Sequence, residues 1–141
     1  MFENSPQPNT DSLYIITEHW LSDVKFYRDE LAFLKKLTDT YFIWLEDNKN
    51  IERTHAVRKH LADLDDLMEV MEELIGNQLR LGADLKRNPT AHEQSKFEEE
   101  HRSLEDQIAN VTKLVRALKT ETFRITEAVA ESEKLQSFIE K

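Results

Sequence analysis

The chain has 141 residues, of which 19 are basic and 28 acidic, giving a net charge of −9, and it contains no Cys. That length accommodates one domain with its own core, and the lack of Cys excludes disulfides and thiolate metal sites. The acidic excess argues against nucleic acid and anionic membrane surfaces, since both attract Lys and Arg. No apolar run approaches the roughly 20 residues that would insert into a membrane. Because residues 2–12 also lack the apolar segment of a signal peptide, we expect a cytoplasmic location.

The fold class follows from the scarcity of helix-breaking residues. Only 2 Gly and 3 Pro occur in the chain, which leaves little room for turns between strands. We therefore predict an all-α protein. Residues 1–12 form a flexible N-terminal tail in this prediction, and residues 13–141 form a single helical-bundle domain.

Helix one is predicted over residues 13–46. Its core positions alternate steps of 4 and 3 residues, a period that keeps one face toward partner helices. They are Trp20, Val24, Tyr27, Leu31, Leu34, Thr38, Tyr41 and Leu45. A second apolar stripe, formed by Phe26, Phe33, Leu37 and Trp44, lies beside this seam. Either helix one lies deepest in the bundle and the stripe is covered, or the stripe is a contact surface for a partner.

Helix two is predicted over residues 51–87. Its seam consists of Val57, Leu61, Leu64, Met68, Met71 and Ile75, and it weakens at Gln78 and Gly82. A Gly inside a helix costs about 1 kcal/mol relative to Ala. Since both Gly76 and Gly82 lie inside this helix, we expect close packing to explain at least one of them.

Helix three is predicted over residues 91–138 and is the longest. Asn88-Pro89 ends helix two, and Thr90 with Glu93 forms a capping box, in which each side chain bonds the other residue's backbone N–H. The seam of helix three consists of Phe97, His101, Leu104, Ile108, Val111, Val115, Leu118, Thr122, Ile125 and Val129. Its last apolar residues extend past the predicted end of the bundle, as a frayed end or as an assembly surface. They are Val129, Leu135, Phe138 and Ile139.

Short connections make successive helices antiparallel, so we predict an elongated antiparallel three-helix bundle with coiled-coil-like packing. Counting outward from the two turns places Trp20, Gly76 and His101 at one level. A middle level contains Leu34, Leu64 and Val115, with Leu114 at its flank.

A carboxylate-bridged metal site is the chemistry most often built inside helical bundles, from Glu-x-x-His pairs. The two such pairs here, Glu52 with His55 and Glu98 with His101, lie at opposite ends of the predicted bundle. The remaining metal candidate is His19 with Glu98 and His101. A His at a seam position is more often a core residue. No catalytic constellation occurs, and we predict neither an enzyme nor a cofactor.

Several short segments resemble a family of small all-helical bacterial proteins that has no assigned activity. They are Trp20 to Asp23, Phe26 to Leu31, His92 to Gln94, Glu100-His101 and Phe123 to Glu127. The resemblance covers roughly residues 18–135. It implies a helical bundle in the bacterial cytosol and assigns no binding site.

These patterns favour a non-enzymatic protein–protein interaction or scaffold module, whose partner is another protein or a second copy of the chain. The alternative is a metal-binding bundle that uses His19, Glu98 and His101. A third hypothesis, a carrier of a small apolar ligand, requires a cavity beside Phe26, Phe33 and Trp44.

Overall fold

The computed structural model describes residues 10–41 and 51–139, apart from the side chains of residues 129 and 132–139. It contains the helices α1 (Thr10–Thr40), α2 (Ile51–Arg87) and α3 (Ala91–Ile139). All three helices pack against each other, and the described residues contain no strand. The predicted all-α three-helix bundle is therefore confirmed, and its third helix is the longest at 49 residues.

The observed helix bounds depart from the predicted ones mainly in α1. This helix begins at Thr10, three residues earlier than predicted. There the Thr10 hydroxyl donates to Oε1 of Gln94 at 2.7 Å, and Asp11 pairs with Lys86 at 3.5 Å. The helix ends at Thr40, and residues 42–46 of the predicted helix lie outside the described residues. The bounds of α2 match the prediction, and α3 extends one residue further.

The start of α3 is capped as the sequence indicated, with one difference. The backbone N–H of Glu93 donates to Oγ1 of Thr90 at 3.2 Å, which is the first half of a capping box. In place of the second half, the Thr90 hydroxyl donates to Oε1 of Glu93 at 3.1 Å. The two side chains therefore bond each other and still satisfy one N–H of the first turn.

The chain divides into two compact units. The first unit contains residues 10–26 and Glu69–Val111, and the second contains Tyr27–Met68 and residues 112–139. The predicted seam residues with a described burial are all buried except Tyr27 and Tyr41, which are half-buried. The first core contains Leu13, Trp20, Val24, Met71, Ile75, Leu85, Phe97, Leu104, Ile108 and Val111. The second contains Leu31, Leu34, Val57, Leu61, Leu64, Met68, Val115, Leu118 and Ile125.

Helix directions follow from contacts inside each unit. In the second unit, Arg28 pairs with Asp65 at 3.5 Å and Asp39 with Arg58 at 3.2 Å, so α1 and α2 are antiparallel there. In the first unit, Thr10 bonds Gln94 and Trp20 stacks on His101, so α1 and α3 run in the same direction. The stacking of Trp20 on His101 confirms that these two residues share a level.

Candidate interaction surface

The predicted second stripe of α1 is only partly described. Phe26, in the first unit, is 59% exposed and Phe33, in the second, is 57% exposed. Leu37 is half-buried, and Trp44 lies outside the described residues. Phe26 and Phe33 therefore lie on the surface, and the alternative in which they are covered by the other helices does not hold for them.

The predicted overhang of α3 is helical as far as Ile139. The side chains of Val129, Leu135, Phe138 and Ile139 lie outside the described part of the chain. Their role as an assembly surface remains a prediction.

Polar pairs join α1 to α3 in the second unit. The hydroxyls of Tyr27 and Thr112 share a hydrogen bond of 2.9 Å, and Nζ of Lys119 donates to Oε2 of Glu30 at 2.9 Å. On its other side α1 carries the ion pair of Arg58 with Asp39. Both edges of α1 in this unit therefore carry polar pairs.

The edge between α2 and α3 in the second unit forms an open and mostly apolar groove of about 500 Å³. It differs from the groove of about 550 Å³ between α1 and α2, where five of the ten lining residues are charged. Residues spaced three or four apart on each helix line the apolar groove, since that spacing keeps side chains on one helix face. Leu114 is 43% exposed, although it is a large apolar side chain. The lining residues are Arg53, Ala56, Val57, His60, Asp63, Leu64, Leu67, Leu114, Ala117, Leu118 and Glu121.

One end of this groove is marked by an ion pair between Arg53 of α2 and Glu121 of α3. Their side chains are 46% and 36% exposed, so solvent screens the pair and its contribution to stability is small. The pair shows that Arg53 of α2 and Glu121 of α3 lie at the same level. Farther along the groove, His60 and Asp63 are exposed.

The corresponding groove in the first unit is more polar. It has a volume of about 430 Å³ and is lined by Leu74, Asn77, Leu81, Lys96, Glu100, Ser103, Leu104 and Gln107. Five of these eight side chains are polar or charged. The mostly apolar groove between α2 and α3 is therefore a feature of the second unit.

The first unit is distinguished by a buried His and a buried Gln, whereas the buried polar side chains described in the second unit are all Thr. The ring of His101 stacks on Trp20 with centroids 4.4 Å apart, and Nε2 of Gln78 donates to the carbonyl of Phe97 at 2.8 Å. Among the described residues, neither Nδ1 of His101 nor Oε1 of Gln78 has a hydrogen-bond partner. Burial lowers the pKa of His101, and the nearby carboxylate of Glu105 opposes that effect.

The predicted metal candidates are not assembled into a site. His19 is exposed, Oε2 of Glu98 accepts a hydrogen bond from Gln94 at 2.7 Å, and His101 is buried against Trp20. Within the described ranges, no group of three or more His, Asp or Glu residues is placed to hold a metal ion. The geometry gives the metal-binding alternative no support.

No protein-family model, curated protein or solved structure matches this chain. The resemblance to a bacterial helical family therefore remains a prediction. In the described part of the chain, no helix combines the length and apolar character required to cross a bilayer.

The sequence pattern did not predict the apolar groove of the second unit, although two of its lining residues indicate it. Leu67 and Leu114 are apolar and lie outside the predicted seams, where a solvated face would be polar. Leu114 was expected to flank a core level, but the structure leaves it 43% exposed. Apolar residues beside a seam identify such a groove only when the position of the third helix is known.

Proposed function

We propose that this chain is a non-enzymatic protein–protein interaction module and that the apolar groove of the second unit is its binding surface. The observation that supports the proposal is the 43% exposure of Leu114 within a groove whose lining is largely apolar. An exposed apolar surface of this kind is favourable when a partner covers it, because covering removes apolar area from water.

The shape of the groove favours a helix as the partner. An amphipathic helix places apolar side chains at positions i, i+3, i+4 and i+7 and can lay that stripe between two other helices. Ala56 and Ala117 line the groove on opposite helices, and their small side chains allow a close approach of a third backbone. Leu67 and Leu114 then supply the large apolar contacts.

We place this interaction in the bacterial cytoplasm. The support is the resemblance of several short segments to a family of small all-helical bacterial proteins. An acidic module of this type functions as a scaffold or adaptor through protein contacts, since its charge disfavours nucleic acid.

A photo-crosslinking amino acid at position 114 tests the proposal. The matched control carries the same amino acid at Thr120, which is exposed on the same helix but lies about 120° round its axis. After irradiation in bacterial cells, we expect a covalent protein adduct from position 114 and none from position 120. The absence of an adduct at 114, or equal adducts at both positions, would show that the groove is not the binding surface.

A carrier of a small apolar ligand is the second candidate, because about 500 Å³ lies within the range of small-molecule sites. Such a ligand would occupy the groove beside Leu67 and Leu114, whereas the sequence had placed it beside Phe26, Phe33 and Trp44. Native mass spectrometry of the purified chain separates the candidates. A retained apolar molecule that Leu114→Glu releases supports the carrier function, and a bare chain supports the protein partner.

A further inference from the structure

We propose that the core of the first unit binds a single water molecule between Nδ1 of His101 and Oε1 of Gln78. The proposal concerns the first unit alone and does not depend on the apolar groove of the second, so it goes beyond the proposed function. It is carried by two buried polar atoms that have no protein partner among the described residues, and by the turn of α3 that brings them together.

The first unit buries three polar side chains among its described residues, and each comes from a different helix. They are Thr17 of α1, Gln78 of α2 and His101 of α3. Thr17 lies about one helical turn before Trp20, on whose ring His101 stacks, so these residues occupy one stretch of the core. The Thr17 hydroxyl donates to the carbonyl of Leu13 at 2.7 Å and is satisfied within its own helix. The side chains from α2 and α3 each retain an unsatisfied atom.

One turn of α3 brings the two unsatisfied atoms together. Nε2 of Gln78 donates to the backbone carbonyl of Phe97 at 2.8 Å. Inside an α-helix, that carbonyl also accepts the backbone N–H of the residue four positions later, which is His101. A helical side chain points back over the preceding turn, and the rings of Phe97 and His101 have centroids 6.5 Å apart. The amide of Gln78 and the imidazole of His101 therefore lie over the same turn.

Burial keeps both atoms away from bulk solvent. Gln78 is fully buried, and His101 is 5% exposed with one face of its ring against Trp20. A polar atom in such a position loses the hydrogen bonds that it makes to water in the unfolded chain, unless a new partner replaces them. Internal water molecules in globular proteins supply such partners, and they typically bond between two and four buried polar groups.

The chemistry of the two atoms selects water as the ligand. Oε1 of Gln78 only accepts hydrogen bonds, and Nε2 of the same amide already donates to Phe97. Nδ1 of His101 accepts in one tautomer of the neutral ring, and it donates in the other tautomer and in the charged ring. A water molecule donates to Oε1 and either donates to Nδ1 or accepts from it, so it fits each state of the ring. A metal ion does not fit, since no group of three His, Asp or Glu is assembled among the described residues.

NMR spectroscopy of the isotopically labelled full chain tests this site in solution. Water-selective NOESY and ROESY spectra at neutral pH detect a bound water molecule by its cross peaks to carbon-bound protons. The signs of these peaks distinguish close contact from chemical exchange. We expect cross peaks from water to the ring protons of His101 and to the methylene protons of Gln78. The absence of these peaks from both side chains would overturn the proposal.

Gln78→Met removes both amide atoms and keeps a side chain of similar length. We expect the water cross peaks to the His101 ring to be lost, because the water molecule loses one of its two partners. Gln107→Met is the matched control, since Gln107 is a half-buried residue of α3 in the same unit and bonds Ser103. The peaks should remain in that variant. Peaks to His101 that persist unchanged in Gln78→Met would contradict a bridge between the two side chains.

Thr17→Val tests whether the signal comes from the Thr17 hydroxyl, whose exchanging proton could relay magnetisation from solvent. We expect the cross peaks to His101 and Gln78 to persist in this variant. Their loss would show that the hydroxyl is their source and would overturn the water site. Circular dichroism should show equal helix content in all variants. If Gln78→Met does not fold, the spectra of the wild type and of Thr17→Val decide the proposal.

Discussion

The two units of this chain contain parts of the same three helices but differ in their cores and surfaces. The first unit has a core of aromatic and polar groups, with Phe97 fully buried, His101 stacked on Trp20, and Gln78 bonded to a backbone carbonyl. The second unit has a core of aliphatic, Met and Thr side chains, polar pairs along the edges of α1, and an open apolar groove beside Leu114. The first unit is therefore characterised by the groups in its core, and the second by the apolar groove on its surface.

The difference has a physical basis in what each unit leaves unsatisfied. In the first unit the unsatisfied atoms are buried polar atoms, Nδ1 of His101 and Oε1 of Gln78. Both units expose large apolar side chains, such as Phe26 in the first and Phe33 in the second, but the exposed Leu114 of the second unit lies in a groove with a mostly apolar lining, which a partner could cover. We therefore expect substitutions in the core of the first unit to change the free energy of unfolding. Substitutions in the groove of the second unit should change the binding of a partner.

The largest expected effect is the loss of Phe97. Phe97→Ala removes a fully buried ring from the first core and should lower the free energy of unfolding by about 3–5 kcal/mol. Phe123→Ala makes the same change on the same helix at a side chain that is 38% exposed, and it should cost much less. Urea unfolding followed by circular dichroism measures both. Equal losses would show that burial at Phe97 does not anchor the first unit.

The two glycines of α2 should respond with opposite signs. A Cβ at Gly82 would lie 2.8 Å from Tyr14 and 3.0 Å from Phe97, whereas at Gly76 its nearest contact is the end of Arg80 at 3.8 Å. Gly82→Ala should destabilise by about 1–2 kcal/mol, since overpacking exceeds the gain in helix propensity. Gly76→Ala should stabilise by up to about 1 kcal/mol. Thermal unfolding of the two variants measures this difference in stability. A Gly82→Ala variant that is more stable than the wild type would contradict the close packing at Gly82.

The cap of α3 should have a smaller effect. Thr90→Ala removes the acceptor for the backbone N–H of Glu93 and should cost about 1 kcal/mol. Thr120 lies inside α3 and bonds the carbonyl of Arg116, so Thr120→Ala should be neutral or slightly stabilising. Chemical denaturation of the two variants checks this difference, and equal losses would mean that the cap contributes nothing specific.

The smallest effect should be the pH dependence that His101 adds. Burial lowers its pKa, so the unfolded chain binds this proton more readily than the folded chain. His101 therefore stabilises fully above the ordinary pKa of about 6.5, and this stability falls as the pH drops below that value toward the lower pKa of the folded state. Below the folded pKa the loss is complete.

His101→Phe removes the titrating group and keeps an aromatic ring beside Trp20. The difference in unfolding free energy between the wild type and this variant, measured from neutral pH down to about pH 5, isolates the contribution of His101 from the carboxylates. A difference that stays constant over this range would contradict the assignment.

The periodic pattern of apolar residues predicted the bundle and most of its core. Steps of 3 and 4 located Val24, Leu34 and Met71, which are buried, because the period of a packed helix is set by its own geometry. The same pattern placed His101 opposite Trp20. It also indicated close packing at a glycine, which the structure locates at Gly82.

The candidate surface could not be predicted in the same way. The angle at which the third helix packs decides whether a side chain beside the seam is covered. The apolar period of one helix does not determine that angle. Phe33 and Leu114 are adjacent in sequence to the buried Leu34 and Val115, yet they are 57% and 43% exposed.

The most direct test of the central claim compares the two grooves by matched substitution. Leu114 of the second unit and Leu74 of the first line the grooves between α2 and α3 and are 43% and 38% exposed. A photo-crosslinking amino acid placed at position 114 or at position 74 distinguishes them. We predict a covalent protein adduct from position 114 and none from position 74. An adduct from position 74 alone, or equal adducts from both positions, would contradict the assignment of binding to the second unit.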